Sequence, residues 1–260
     1  APSADVTAAH EATTTLLGLP WELLHDGRRF LFQGAQPTRV RRRLPNTEAR
    51  EVPVVAPPIR ILLVTARPED DACGYLDHRA SAAPLVDATE TLGELVQVTL
   101  LDPPTLPALR TELDRARAAR QPYHVVHFDG HGVYDRRVGL GGLCFEDPRD
   151  TGLLERRRHA TVYTPELGAL LDEHRIPLVF LEACQTAQAE QASESVATAL
   201  LGAGVAAVAA MSHSVLVESA SRFVQAFYRA LAGGARVGGA MLAGQRELKD
   251  DNFRGRVFGA

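Results

Sequence analysis

Two short stretches of the chain carry residue types that could do nucleophilic chemistry together. One is Asp129-Gly130-His131-Gly132, which sets an imidazole between two glycines. The other is Glu182-Ala183-Cys184-Gln185-Thr186, which sets a thiol among small and polar residues. A thiolate attacks carbonyl carbons far better than a thiol, and a nearby imidazole can take the thiol proton and return it to a leaving amine. Gly130 and Gly132 free the backbone to hold that imidazole at a rim. The unobstructed amide of Gly132, with the amide of Cys184, could serve as an oxyanion hole. The pattern therefore predicts acyl transfer with His131 and Cys184 as the reacting pair.

Each stretch follows an apolar run. Tyr123 to Phe128 leads to the histidine, and Leu178 to Leu181 leads to the cysteine. Ile59–Thr65, Leu95–Leu101 and Val205–Met211 are similar runs, as expected of strands buried on both faces. Helical patterns lie between them. Leu106, Leu109 and Leu113 fall on one face behind Thr105 as N-cap. Thr164-Pro165-Glu166 opens a second helix, with Pro165 at its first position and Leu167, Leu170 and Leu171 turned inward. Ala220, Phe223, Phe227 and Leu231 mark a third, ended by Gly233-Gly234. Such alternation predicts an α/β three-layer sandwich around a mostly parallel sheet, whose active sites form at the carboxyl ends of the strands. Residues 133–162 interrupt the alternation. Gly139, Gly141 and Gly142 before Leu143-Cys144-Phe145 predict a hairpin, and Asp147 to Ala160 reads as an exposed loop rich in Arg and Asp.

HFDGHG (His127 to Gly132) and LEACQTA (Leu181 to Ala187) resemble the two signatures of the CHAT domain, a family of caspase-like cysteine peptidases related to caspases, separase, legumain and metacaspases. LPWELL near the start is similar to the segment preceding many such domains, and the resemblance is strongest from 59 to 250. It implies a caspase-like fold, a catalytic dyad of His131 and Cys184, and an oxyanion hole containing the Gly132 amide. Family members in bacteria are often fused to repeat or sensor regions. They cleave a specific protein partner, in some cases within anti-phage defence. The expected organisation is an N-terminal extension and linker over 1–58 and the peptidase domain over 59–260, with any sensor outside this chain, which does not open on Met and reads as a piece of a longer protein.

Three acidic residues are candidates for substrate contact. Glu182 lies two positions before Cys184, so on an extended strand it faces the same side. The resemblance puts that position in the pocket for the residue before the scissile bond, where an acid favours Arg or Lys. The competing reading is a carboxylate tied to backbone amides or to a neighbouring Arg. Asp129 could orient His131, touch substrate or stabilise its loop. Asp77, with Arg79, follows the first strand and could line the cleft. If specificity is basic, Arg156, Arg157 and Arg158 offer a self-cleavage site; otherwise they belong to an ordinary exposed loop. His127 reads as a satisfied core histidine. Strand geometry sends His124 and His127 to opposite faces, so with His131 they predict no metal site, and the dyad chemistry needs no cofactor.

Composition agrees with a globular enzyme. The 260 residues are 45% apolar and 23% charged, enough to build a core without disulfides. A net charge of -4 gives no reason to expect nucleic acid as a partner, and the basic run Arg39–Arg43 reads as a solvated edge. Three widely spaced cysteines, Cys73, Cys144 and Cys184, do not make a disulfide framework and suit a reducing compartment, and Cys73 and Cys144 read as small buried hydrophobes or loop residues. With no signal-like leader and no membrane-length apolar run, the cytoplasm is the expected location. Two rival classes remain: a catalytically silent caspase-like interaction module, and a non-peptidase Cys–His amidase.

Overall fold

The computed structural model describes residues 12, 16, 19, 21–42, 56–71, 73–75, 85–87, 90–135, 137–150, 157–182, 196–210 and 217–249. Among these, five strands form a wholly parallel sheet: β1 (Ile59–Thr65), β2 (Val96–Leu100), β3 (Val125–Asp129), β7 (Leu178–Glu182) and β8 (Ala207–Ala210). Their spatial order is β2-β1-β3-β7-β8. A second, antiparallel sheet follows β3 directly and consists of β4 (His131–Asp135), β5 (Leu140–Glu146) and β6 (His159–Tyr163). The expected α/β sandwich and the expected hairpin are both present.

Alternation along the strands explains the layers. Leu62, Val64, Val126, Phe128, Val179 and Leu181 face one core, with α1 (Leu106–Ala118), α2 (Thr164–Glu173) and α3 (Val196–Gly202) packed on it. Their neighbours Ile61, Leu63, Val125, Leu178 and Phe180 face the other, under α4 (Val217–Ala232) and α5 (Val237–Lys249). Side chains that point alternately to the two faces let every central residue be apolar, and β7 is buried throughout.

Helix starts follow their local chemistry. The Thr105 hydroxyl accepts the Ala108 amide at 3.3 Å, the capping bond predicted for α1, worth about 1 kcal/mol. Helix α2 begins at Thr164, one residue earlier than predicted, with Tyr163 at the cap. Pro165 still falls in the first turn, where its missing N–H leaves no helical bond unmade.

The segment expected as an exposed loop is partly buried. Asp147 and Asp150 are 5% and 4% exposed, and Arg149 and Arg158 pair with them at 2.5 and 2.6 Å. The guanidinium groups satisfy the carboxylates, so this acid-rich turn packs against the molecule, and β6 begins at His159. Residues 151–156 lie outside the described set. Near the start of the chain, Arg42 pairs with Glu22, and Arg246 of α5 donates to the Gly34 carbonyl at 3.2 Å. Among the described residues no helix is long and apolar enough to cross a membrane.

Candidate active site

Strands β3 and β7 end side by side, with Asp129 registered against Glu182. Beyond Asp129 the chain turns at Gly130, whose amide donates to the Glu182 carbonyl at 3.4 Å. A Cβ at Gly130 would lie 2.9 Å from the Phe128 ring and 3.1 Å from the Ala66 carbonyl oxygen, so only glycine fits this turn. The turn delivers His131 as the first residue of β4, opposite Cys144 on β5, and Gly132 opposite Leu143.

The His131 ring is held from outside the motif. Its Nε2 donates to the carbonyl of Gly74, 2.7 Å away on the chain segment after β1. A carbonyl can only accept, so this bond fixes the proton on Nε2 and leaves Nδ1 as the basic nitrogen. Nothing in the sequence marks Gly74 for this role, because a backbone carbonyl has no residue signature.

Asp129 is 3% exposed and its carboxylate pairs with Arg67. The same guanidinium donates through Nη1 to the carbonyls of Asp129 at 2.7 Å and Ala66 at 2.9 Å. The Arg67 amide donates to Glu146 at 3.3 Å, and Glu146 pairs with Arg157. Asp129 thus ties the end of β3 to the segment that goes on to carry Gly74. Of the roles expected for it, the contacts seen are those of loop stabilisation. Arg67, unremarked in the sequence, is its partner.

Glu182 is 7% exposed and reaches inward. Its Oε2 lies 3.2 Å from His127 Nε2, and His127 Nδ1 lies 2.9 Å from the Tyr228 hydroxyl on α4. Burial first, then the nearby Glu182 charge, push the Tyr228 phenol well above its ordinary range, so its hydroxyl donates to Nδ1 and His127 donates to Glu182. His127 also stacks on Phe180 with centroids 4.7 Å apart. It is the satisfied core histidine expected, and the partner of Glu182 is this imidazole rather than backbone amides or an Arg.

The remaining expectations divide simply. Cys184 and Asp77, with Arg79 and Arg156, lie outside the described residues. Arg157 and Arg158 are engaged with Glu146 and Asp150. His124 accepts the Arg60 amide at 3.0 Å through Nδ1, and burial with the Arg60 charge lowers its basicity, so it converges with neither His127 nor His131. Cys73 and Cys144 are both fully buried.

A parallel sheet whose third strand runs into Gly-His-Gly, with the neighbouring strand running into Glu-Ala-Cys, is the arrangement the resemblance required. The family model of the CHAT domain matches residues 9–254. The chain belongs to the CHAT domain family. CHAT domains are caspase-like cysteine peptidases, and here the match extends through both the parallel sheet and the residues before it. No curated protein matches the chain.

Proposed function

We propose that this CHAT domain is a cysteine endopeptidase that cleaves a specific protein partner through His131 and Cys184. His131 follows Asp129 by two positions and Cys184 follows Glu182 by two, and Asp129 and Glu182 are register partners. The observation that carries the reading is the bond from His131 Nε2 to the Gly74 carbonyl, which leaves Nδ1 to exchange protons. In the reaction the Cys184 sulfur attacks the scissile carbonyl carbon, its proton having passed to Nδ1. The amides of Gly132 and Cys184 hold the resulting oxyanion, each such donor being worth about 3–4 kcal/mol. His131 then protonates the leaving amine, and the C–N bond breaks to give a thioester. Water, losing a proton to Nδ1, attacks that thioester and restores the thiol.

Cleavage after Arg or Lys is part of the proposal and requires the Glu182 carboxylate, bonded to His127 in this structure, to exchange that partner for the substrate cation, with Asp77 as a second proposed substrate contact. In this reading sensor or repeat regions beyond this chain would present the partner, and the family supports a role in bacterial signalling or defence. The test is labelling by a peptide acyloxymethyl ketone with Arg before the warhead, read by intact mass. One adduct, absent in Cys184→Ala and strongly slowed in His131→Ala, is the expected result. No adduct with any side chain in the probe, while a small alkylating agent still reaches Cys184, would overturn the peptidase reading. Equal labelling by Arg, Ala and Leu probes, unchanged in Glu182→Gln, would overturn the basic specificity alone.

A further inference from the structure

Beside the His131 loop lies a second cluster that the peptidase chemistry does not use. One oxygen of Asp70, the sulfur of Cys73 and one ring nitrogen of His159 all lie within 4.8 Å of one another. Asp70 and Cys73 come from the segment after β1, and His159 opens β6. A second buried thiol, Cys144 on β5, lies beside Cys73. Cys144 shares its row of the antiparallel sheet with His131 on one side and Thr161 on the other.

The local hydrogen bonds organise this group. Asp70 accepts the Cys73 amide on Oδ1 at 3.0 Å, and on Oδ2 it accepts the His159 amide at 2.8 Å and His159 Nδ1 at 2.6 Å. These bonds hold the Asp70 carboxylate and the His159 ring together beside the Cys73 sulfur. Both sulfurs are fully buried, whereas the Asp70 and His159 side chains are 21% and 29% exposed and leave a way in from solvent.

We propose that Asp70, Cys73 and His159 form a binding site for one zinc ion. One soft sulfur, one imidazole and one carboxylate are a donor set that suits zinc, with the fourth tetrahedral position taken by a water. Binding releases the Cys73 thiol proton to solvent and leaves the ion bound to that thiolate. The ion would clamp the segment after β1 onto β6. Gly74, which follows Cys73 directly, holds the His131 ring, so the clamp would set the position of the proton-transferring imidazole. The site stands on its own residues and does not depend on peptidase activity.

The experiment uses the full chain carrying Cys184→Ala, so that Cys73 and Cys144 are its only thiols. Reduced, chelator-treated protein is titrated with cobalt(II) and then with zinc(II). The expected result is a thiolate-to-cobalt charge-transfer band saturating at one ion per chain and abolished by one equivalent of zinc. Cys73→Ser, His159→Asn and Asp70→Asn should each weaken binding by at least about 10- to 100-fold. Absence of the band in the unsubstituted-site protein overturns the proposal, and rapid disulfide formation between the two thiols under mild peroxide would then identify them as a redox pair. A band that survives unchanged in His159→Asn, with circular dichroism showing a folded chain, overturns it as well.

Discussion

His127 Nε2 lies 3.2 Å from Glu182 Oε2, although the two residues are not register partners. His127 pairs with Phe180, and Glu182 is two positions further along β7, so the bond crosses the strand pair diagonally. This diagonal is what draws the Glu182 carboxylate back beneath α4 at the end of the strand that leads to Cys184.

His127→Phe tests that relationship. The variant keeps an aromatic ring against Phe180 but removes the bonds to Tyr228 and Glu182. The expected loss is about 2–5 kcal/mol, from two buried polar groups each deprived of this partner. Urea denaturation should show a lower midpoint at an unchanged slope. An unchanged midpoint would mean that the triad contributes nothing to stability.

The His131–Gly74 bond separates ring chemistry from loop chemistry. His131→Ala should lower kcat/KM on a cleaved peptide by about 10²–10⁴-fold. Gly74→Ala keeps the carbonyl, and its added Cβ meets nothing within 4 Å, so it should change the rate by no more than about twofold. A large loss in Gly74→Ala with a normal unfolding midpoint would show that the segment must move during turnover.

Arg67→Met removes the cation from a pair whose side chains are 14% and 4% exposed. A buried carboxylate left without its cation should cost about 3–5 kcal/mol. The double variant Arg67→Met Asp129→Asn should recover part of that loss, because no charge is then left unpaired. Thermal unfolding of the two variants side by side makes the measurement.

The pH dependence of stability has a stated sign. The Arg149 guanidinium holds the Asp147 carboxyl well below its usual range, and Arg158 does the same for Asp150. Groups whose folded-state values are depressed add stability that is present above their unfolded value, about 3.9, and lost as pH falls through the folded values. The urea midpoint should therefore decline on the acid side of about pH 5, and decline less steeply in Asp147→Asn Asp150→Asn. Equal acid slopes in the two proteins would rule these pairs out as the source.

Much of the fold is written in the sequence because its cause is local. Ile59–Thr65, Tyr123–Phe128 and Leu178–Leu181 are short, mostly apolar runs that read as central strands, and Thr105 and Pro165 mark helix starts by chemistry confined to one turn. The two candidate motifs follow from the same reading, since a strand end is a sequence position. What joins them to the rest does not. The Gly74 carbonyl at His131, Arg67 on Asp129, the His127–Glu182 diagonal and the meeting of Asp70 with His159 each link residues 55 or more apart in the chain. Such contacts depend on strand register and on the path of the segment after β1. A backbone acceptor carries no residue identity, and a polar side chain does not state its partner. Residue types therefore marked the two motifs at the strand ends, and tertiary packing alone decided how the His131 ring is held.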